Sequence, residues 1–270
     1  MVFLRIIPPE AWAIITFMLL IAIGVLFRFN LHYKNKTKLT EKSSNELVSN
    51  IAHELKTPMT SIIGFVETLQ AGAINDTEKA LHFLGIIEVE SQRLQHLVDA
   101  TLELSRLDNL DQDTNILPFL FETIVNESIE LLEPQAQKDN IKVNTYYKDA
   151  KSINVNANRE RIKQVLINLL TNAIKYNLPN GKVDITVSSM GKNLMISILN
   201  TGKGVAPNQI PRLFERFYRI DDGRTRDSGG TGLGLSIVER IIQLYNGRIW
   251  VESIEGESTT FNLVLPIAVN

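Results

Sequence analysis

A seven-residue repeat of apolar residues restricts the fold of this chain more than any other feature. Val48, Leu55, Ile62 and Leu69 recur every seven positions within a helical pattern that begins at about Thr40. Such a repeat places one apolar seam along a helix, and other helices have to cover that seam. The pattern therefore predicts a helix that belongs to a bundle.

A second helical pattern follows the first after a short turn. The turn contains Gly72 and ends at Asp76, and Glu78 is expected to act as the partner residue of a helix-start motif. Two helices joined in this way form an antiparallel hairpin, which we assign to residues 43–107. One hairpin cannot cover its own seam, so two chains are expected to pair into a four-helix bundle. The apolar residues of the second helix are Leu84, Ile87, Leu94, Leu97, Val98, Leu102 and Leu104.

Residues 11–27 form an apolar segment without a charged side chain. As a helix this segment would be about 26 Å long, close to the thickness of a bilayer core. A cleaved signal peptide and a buried core helix are the alternatives, but Glu10 and the two prolines before it do not fit a signal peptide. A retained membrane anchor is therefore favoured.

Basic residues are more frequent after this apolar segment than before it, so the chain that follows is expected to be cytoplasmic. We predict a short extracytoplasmic terminus at 1–10, a transmembrane helix at 11–27 and a juxtamembrane linker at 28–42. The chain would then be a single-pass protein of the cell membrane, with too few outer residues for an extracellular sensory domain.

The C-terminal part of the chain alternates between helical and strand patterns. A polar linker at 108–115 precedes it, and residues 116–270 are predicted to fold as one α/β domain with helices on one face of a mixed sheet. Helical patterns cover 118–138, 158–176 and 232–246, and strand patterns cover 141–148, 152–157, 182–189, 193–200, 247–253 and 259–266.

The composition excludes several kinds of site. The chain contains no cysteine, which rules out disulfides, thiolate metal sites and cysteine nucleophiles. It contains four histidines, too few for a histidine-rich metal cage. The formal net charge is −2 and charges of both signs are interspersed, so direct nucleic-acid binding is not expected.

His53 is a candidate nucleophile because of its neighbours. It lies two positions before Leu55 and is therefore expected on the outer face of the hairpin. Glu54 follows directly, and a carboxylate beside an imidazole can hold one ring nitrogen protonated while the other keeps its lone pair for attack. Thr57 lies one helical turn further on, where its hydroxyl could orient a water molecule. Pro58 removes a backbone donor and is expected to bend or loosen the helix.

A row of polar residues follows one face of the helix predicted at 158–176. Asn168 and Asn172 are four residues apart, and Lys175 and Tyr176 extend the same face. A solvated helix face is the alternative explanation, but such a face more often carries Glu and Lys than paired amides. Amide oxygens suit a Mg²⁺ ion whose other ligands are water and phosphate, and a nearby lysine suits the remaining phosphate charge.

Two glycine clusters form the third feature. The first, 200–205, ends a predicted strand, and the second, 229–235, begins a predicted helix. Glycine allows close approach of the backbone, and the free amides at a helix start favour anions, so the second cluster is expected to hold phosphate. The aromatic segment 213–219 and the polar stretch 220–228 lie between them and are expected to form a mobile lid with an aromatic hinge.

Together these motifs resemble the sensor histidine kinases of two-component systems, in particular the phosphate-regulon and cell-wall sensor type, over roughly residues 43–266. Four segments carry the resemblance in the family's order: HELKTP (53–58) is similar to the phosphoacceptor box, NLLTNAIKY (168–176) to the asparagine box, LFERFYR (213–219) to the phenylalanine box and GGTGLGL (229–235) to the second glycine box.

The resemblance implies a multidomain protein, with an all-α dimeric four-helix-bundle stem after the transmembrane helix and a C-terminal α/β sandwich that binds ATP. It implies an ATP-dependent kinase that phosphorylates His53, with Glu54 and Thr57 beside it, and passes the phosphoryl group to an aspartate of a response regulator. Phosphatase activity and a homodimer are expected as well.

The resemblance also implies a set of site residues. Asn172 is expected to ligate Mg²⁺, and Arg219 is expected to steady the transferred phosphate. The residues expected to bind ATP are Asn168, Asn172, Lys175, Tyr176, Asn200, Gly202, Gly204, Gly230, Thr231, Gly232, Leu233 and Gly234.

One position departs from the family pattern. Asn200 stands where the family usually has an aspartate that accepts a hydrogen bond from the adenine amino group. An amide oxygen still accepts, but without charge assistance, which is stronger by about 1 kcal/mol. Replacing Asn200 by aspartate is therefore expected to tighten nucleotide binding by roughly fivefold at most.

Two alternative functions remain. An ATPase of the same nucleotide fold, such as a chaperone or a mismatch-repair protein, would lack a histidine followed by an acid on a helical stem. A degenerate kinase that acts only as a dimeric scaffold or as a phosphatase is supported by Asn200 alone.

Overall fold

The structure is a computed structural model that describes residues 49–110, 112–113, 115–220 and 230–267. The chain divides into two compact units, residues 1–56 and 57–270. Residues 49–56 of the first unit are helical, and so are residues 57–70 of the second. We call this run, 49–70, helix α1; the predicted start of the helix near residue 40 lies outside the described residues.

A turn built on Gly72 connects α1 to the second helix. Gly72 has a φ of 118°, a value that favours glycine, and a short 3₁₀ turn at Ala73–Asn75 follows it. Helix α2 then spans Thr77–Asp108 and starts at Asp76, whose carboxylate accepts a hydrogen bond from the backbone N–H of Lys79. Lys79 rather than Glu78 therefore occupies the third helical position, and Glu78 contributes its charge to the first turn.

The C-terminal domain begins with a strand that the sequence pattern did not predict. We expected a helix from residue 118, but β1 (Leu117–Leu120) pairs antiparallel with β3 (Asn154–Ala157), and α3 begins only at Phe121 and ends at Lys138. The apolar run around Phe119 fits a strand and a helix equally well by periodicity, and only the partner strand decides between them.

The other strands form one five-stranded sheet in the order β2–β4–β5–β7–β6. The pair β2–β4 is parallel, and the other three pairs are antiparallel. This confirms the predicted α/β domain with a mixed sheet. The strand bounds are β2 Lys142–Lys148, β4 Lys182–Met190, β5 Asn193–Thr201, β6 Arg248–Ile254 and β7 Ser258–Pro266.

Three helices pack side by side on this sheet. They are α3, α4 (Arg159–Lys175) and α5 (Gly234–Leu244), and each contacts at least one strand. Alternate side chains of the strands pack against these helices, as expected for a sheet with one buried face. Those side chains, each at most 1% exposed, are Val183, Ile185, Val187, Leu194, Ile196 and Ile198.

The predicted polar linker is bonded to the domain that follows it. Asp113, with a side chain only 6% exposed, accepts a hydrogen bond of 2.6 Å from the hydroxyl of Tyr245 and lies 2.7 Å from Nε of Arg161. Burial alone would raise the pKa of Asp113, but the bonds from Tyr245 and the backbone of Asn115, together with the charge of Arg161, hold that pKa below its ordinary value. The linker is therefore an anchored segment at this residue.

No helix among the residues that the structure describes is long and apolar enough to cross a membrane. The predicted transmembrane helix, 11–27, and the flanking segments 1–10 and 28–42 lie outside those residues.

Replacing Asp113 by asparagine is expected to lower the free energy of unfolding by about 1–2 kcal/mol at neutral pH, because a charge-assisted hydrogen bond and an ion pair are lost. A carboxylate with a lowered pKa stabilises the fold above its unfolded pKa and loses this effect as the pH falls through the folded value. The difference between the native chain and the variant should therefore shrink below about pH 4.

Thermal unfolding of both proteins between pH 3 and pH 7 measures this difference. Asp139→Asn, at an exposed position after α3, is the control for loss of one negative charge. Equal unfolding temperatures of the Asp113 variant and the native chain at pH 7 would contradict the anchoring role.

Candidate functional site

A cavity of about 1070 Å³ opens between α4, the ends of β5 and β7, the start of α5 and one face of α2. It contains ten of the twelve residues expected to bind ATP, as well as Arg219; Gly202 and Leu233 are outside its lining. Leu233 is fully buried in the core. The expected residues that line the cavity are Asn168, Asn172, Lys175, Tyr176, Asn200, Gly204, Gly230, Thr231, Gly232 and Gly234.

Helix α4 presents its polar face to the cavity. The helix starts at Asn158, whose side-chain oxygen accepts hydrogen bonds from the backbone N–H groups of Glu160 and Arg161. Asn168 donates from Nδ2 to the carbonyl oxygen of Gln164, which turns its Oδ1 toward the start of α5. A Cβ atom at Gly234 would lie 3.0 Å from that oxygen, so glycine permits the close approach of α5 to α4.

Lys175 and Arg219 give the cavity a cationic end. Burial lowers the pKa of Lys175 below its ordinary value, and the nearby charges of Arg219 and Arg93 lower it further. Nζ of Lys175 also lies 5.1 Å from the centre of the Tyr176 ring. Cations held close together in a partly buried site repel one another, and an anion between them relieves this repulsion. The site is therefore suited to phosphate.

The second glycine cluster is held against the aromatic segment 213–219. Gly232 has a φ of 70°, and a Cβ atom there would lie 2.7 Å from Cα of Phe217. The backbone N–H of Phe217 donates to the carbonyl oxygen of Gly232 at 2.9 Å, and Phe217 itself has a positive φ of 64°. The aromatic hinge and the mobile lid stay predictions, because residues 221–228 of the predicted lid lie outside the described residues.

The first glycine cluster follows β5 and is equally crowded. A Cβ atom at Gly202 would lie 2.5 Å from the carbonyl oxygen of Tyr176, and Gly204, with a φ of 65°, approaches the carbonyl oxygen of Ile254. Both glycines thus allow the end of β5 to approach neighbouring backbone. Gly202 contributes through this packing rather than through the lining of the cavity.

Asn200 is buried beside the cavity, and its amide is hydrogen-bonded to the backbone. Its side chain is 3% exposed, and its Nδ2 donates to the carbonyl oxygen of Thr201 at 3.0 Å and to that of Tyr176 at 3.5 Å. Since both partners are carbonyl oxygens, they require an N–H group at this point and fix the orientation of the amide. The amide oxygen is then the group available to accept a hydrogen bond from a ligand in the cavity.

Several lining residues were not predicted from the sequence. Thr259, on β7, stands directly opposite Asn200 in the β5–β7 ladder, and Phe261 follows two residues later on the same face. The alternation of side chains along β7 would have predicted that Thr259 and Phe261 share a face, but only the strand order shows that this face lines the cavity. Helix α2 contributes His96, Asp99, Glu103 and Arg106, which no local pattern distinguishes from an exposed helix face.

His53 and Glu54 lie in the helical part of the first unit, and Thr57 follows in the same helix. His53 and Thr57 are exposed, as predicted, and Glu54 is half-buried. The helix continues through Pro58, which is buried, so this proline does not interrupt it. A proline in a helix interior lacks the N–H for one backbone hydrogen bond, and the helix nevertheless continues on both sides of Pro58.

Two family models match the chain and together cover most of it. Residues 43–110 match the His Kinase A (phospho-acceptor) domain, and residues 157–269 match the histidine kinase-, DNA gyrase B-, and HSP90-like ATPase domain. The hairpin with the exposed histidine and the domain with the cavity therefore correspond to the two domains of one family. The chain belongs to the sensor histidine kinases of two-component systems.

Individual relatives agree with this assignment. The chain is 36% identical over 243 residues to the sensor protein kinase WalK of Staphylococcus aureus, a match that covers 88% of this chain and 57% of that relative. Longer WalK sequences of the same species are covered to 39%. The chain thus spans between about two fifths and three fifths of the curated relatives it matches.

Solved structures resemble the described fold. The histidine kinase AdeS of Acinetobacter baumannii is 28% identical, with a TM-score of 0.64 and coverage of 80% of this chain and 98% of that chain. The catalytic domain of histidine kinase ThkA is 33% identical, with a TM-score of 0.51 and coverage of 57% and 96%. ThkA in complex with the response regulator protein TrrA is 27% identical, with a TM-score of 0.64 and coverage of 83% and 61%.

The contacts of Asn200 reverse the expectation for its replacement by aspartate. A carboxylate would set an oxygen against the carbonyl oxygens of Thr201 and Tyr176, where the native amide donates. We therefore expect Asn200→Asp to weaken nucleotide binding by about fivefold or more, since loss of a buried hydrogen bond costs about 1–3 kcal/mol.

Titration of the full chain with a fluorescent ATP analogue measures this effect. Asn193→Asp makes the same chemical change at the exposed start of the same strand and should leave the affinity unchanged. Tighter binding by the Asn200 variant would show that the carboxylate is accommodated and that the tether to Thr201 and Tyr176 is dispensable.

Proposed function

We propose that this chain is a membrane-bound sensor histidine kinase that phosphorylates His53 with ATP and passes the phosphoryl group to an aspartate of a response regulator. The observation that carries the proposal is the presence, in one chain, of an exposed histidine in a phospho-acceptor domain and a cationic, glycine-lined cavity in an ATPase domain. Neither domain would suffice alone, since the histidine needs a phosphoryl donor and the ATP bound in the cavity needs a phosphoryl acceptor.

The cavity residues fit ATP and Mg²⁺ by their chemistry. The amide of Asn172 would be a neutral oxygen ligand for Mg²⁺, and Asn168 and Lys175 would hold phosphate oxygens. Asn200 would accept a hydrogen bond from the adenine amino group through its fixed Oδ1. When bound, Mg²⁺ would offset phosphate charge and orient the terminal phosphoryl group.

His53 would act as the nucleophile through the lone pair of one ring nitrogen. One ring nitrogen forms a bond to the terminal phosphorus of ATP, the bond from that phosphorus to the bridging oxygen breaks, and ADP leaves. Glu54, next to His53, would hold the proton of the other ring nitrogen, and Arg219 would offset the charge on the phosphoryl group during transfer. Transfer would require the terminal phosphate of ATP to lie in line with the attacking nitrogen of His53.

Two partners are proposed, a response regulator and a second copy of this chain. One of the solved relatives is a complex of a histidine kinase with a response regulator, and the phosphohistidine of this chain would likewise donate to a response-regulator aspartate. Dimerisation through the hairpin is supported by large apolar side chains that the single chain leaves exposed. These include Met59, Ile63, Leu81, Leu84, Val89 and Val98, which are 45–66% exposed.

A location in the cell membrane is proposed from the apolar segment 11–27 and from the excess of basic residues after it.

Phosphatase activity toward the response regulator is proposed from Thr57, which lies four residues after His53 in the same helix. A chain that serves only as a scaffold or phosphatase is the second candidate. It rests on the departure from the family pattern at Asn200 alone, and the backbone contacts that suit an amide there weigh against it.

Replacing His53 by glutamine is expected to abolish incorporation of radioactive phosphate from labelled ATP while leaving ATP affinity unchanged, because the nucleophile is lost and the cavity is intact. The phosphate on the native chain should be labile in acid and stable in base, as a phosphoramidate is. His82→Gln, at an exposed position of α2, is the control and should label normally. Undiminished labelling of the His53 variant would contradict the assignment, and ATP binding without any labelling of the native chain would favour the scaffold.

Replacing Thr57 by alanine is expected to preserve autophosphorylation and to reduce dephosphorylation of a phosphorylated response regulator by about tenfold or more, because a water molecule that is no longer held in position reacts more slowly. Thr68→Ala is the control and should leave both activities unchanged, because the Thr68 hydroxyl only donates to the carbonyl oxygen of Gly64 within the same helix. If both activities of the Thr57 variant fell together, its role would be structural.

A further inference from the structure

A chain of hydrogen bonds leads from the first glycine cluster to the wall of the cavity through Ser253. This residue, on β6, accepts at Oγ from the backbone N–H of Val205 at 2.9 Å and donates to the carbonyl oxygen of Ser258 at 2.7 Å. Its Oγ also lies 2.9 Å from Oγ1 of Thr259, which lines the cavity. Ser253 lies outside the four segments that carry the family resemblance.

The number of hydrogens fixes the direction of the bond between the two hydroxyls. A serine hydroxyl has one hydrogen, and Ser253 gives it to Ser258, because a carbonyl oxygen can only accept. The hydrogen between Ser253 and Thr259 therefore belongs to Thr259. Thr259 thus donates to Ser253, and its oxygen can only accept a hydrogen bond from a ligand in the cavity.

The hydrogens of Asn200 are committed to the protein in the same way. Its Nδ2 has two hydrogens, which go to the carbonyl oxygens of Thr201 and Tyr176, so Oδ1 is left for a ligand. Asn200 and Thr259 lie directly opposite each other in the β5–β7 ladder, and the two residues are 3% and 7% exposed. This part of the cavity therefore presents a pair of acceptors, and bonds to the protein hold each of them in that role.

The spacing of this pair suits an amino group. Opposed residues of two antiparallel strands have Cβ atoms about 4.5–5.5 Å apart. The two hydrogens of an amino group on a base diverge by about 120°, so with hydrogen bonds of about 2.9 Å they reach acceptors about 5 Å apart. Adenine carries such an amino group at its 6-position. A base with a carbonyl oxygen there would bring an acceptor against two acceptors and leave buried groups unpaired, which a site of this kind rejects.

We propose that Ser253 is a positioning residue that sets the base selectivity of the nucleotide site. Because Ser253 takes the hydroxyl hydrogen of Thr259, the Thr259 oxygen stays an acceptor, and Thr259 and Asn200 together bind both hydrogens of the adenine amino group. We call these three residues the amino clamp. The inference rests on the proposed function, which assigns ATP to this cavity and Asn200 alone to the amino group.

Replacement of Ser253 by alanine tests the amino clamp in the full chain, by displacement of a fluorescent ATP analogue labelled on the ribose. Inosine triphosphate (ITP) is the second probe, since it carries a carbonyl oxygen in place of the amino group. The ratio of the ITP and ATP dissociation constants should fall about fivefold or more, because the freed hydroxyl of Thr259 can donate to that carbonyl oxygen. A merely structural disturbance of the loop at Val205 would weaken both nucleotides equally and leave the ratio unchanged.

Two variants are the controls for this measurement. Ser253→Thr keeps the hydroxyl and should keep the native ratio. Ser189→Ala removes a serine hydroxyl at an exposed position of β4 and should change neither affinity. Equal ratios in the Ser253→Ala variant and in the native chain would overturn the proposal.

A base with a single amino hydrogen tests the amino clamp without a variant of Ser253. N6-methyl-ATP should bind the native chain about fivefold or more less tightly than ATP, because it can satisfy only one of the two acceptors. In Thr259→Val, which keeps the shape of threonine without the hydroxyl, this difference should shrink, since the same bond is already lost. A difference of equal size in the native chain and this variant would show that the methyl group acts through its bulk, and would contradict the clamp.

Failure of the proposed function would be distinguishable from failure of the amino clamp. If the native chain bound neither ATP nor ITP, the cavity would not be a nucleotide site, and the kinase activity and the clamp would both be wrong. If the native chain bound ATP and labelled His53 while Ser253→Ala left the ratio unchanged, the kinase activity would stand and only the clamp would be overturned.

Discussion

Helix α4 packs one apolar face against the sheet, and the candidate site depends on that packing. Burial of each such side chain contributes about 1.5–3 kcal/mol, so rotation of the helix about its axis is strongly disfavoured. With the apolar face fixed, Asn168, Asn172 and Lys175 have to lie on the other side and line the cavity. The buried residues, each at most 2% exposed, are Ile162, Val165, Leu166, Leu169, Leu170 and Ala173.

The glycines around the cavity act mainly through the close contacts they permit between backbone segments. Gly232 allows the aromatic segment 213–219 to lie against the second glycine cluster, and Gly234 allows α5 to start beside Asn168. The positive φ angles of Gly232 and Phe217 in the same contact indicate a strained local conformation held by the surrounding packing. The contact between Gly232 and Phe217 therefore holds the aromatic segment 213–219 against the second glycine cluster.

The polar network around Asn200 shows how a single position can depend on tertiary contacts. Beside Asn200, the hydroxyl of Thr201 donates to Oδ1 of Asn177 and accepts from the backbone N–H of Lys182. These bonds join the end of α4 to the end of β5 and to the start of β4. The amide of Asn200 adds bonds to the same region, because its Nδ2 donates to the carbonyl oxygens of Tyr176 and Thr201. Its Oδ1 is left to accept a hydrogen bond from a ligand in the cavity.

Much of the fold was predictable because the local patterns were strong. Each of the six predicted strands exists, and α4 and α5 lie where their apolar periodicity placed them. The helix predicted from residue 118 was wrong over its first residues, since Leu117–Leu120 form a strand that pairs with β3. The linker was predicted as a polar connection, but the side chain of Asp113 is only 6% exposed and pairs with Arg161 and Tyr245. Such contacts join residues far apart in the chain and leave no local signal.

The sequence alone determined the order of the elements, the polar face of α4, the two glycine clusters and the exposed position of His53, because periodicity and residue chemistry act over a few neighbouring positions. Only the tertiary structure decided that Thr259 faces Asn200, that α2 contributes a wall of the cavity and that Asp108 is bonded to Arg216. Strand order and helix docking set these distances, and both depend on how buried surfaces from distant segments fit together.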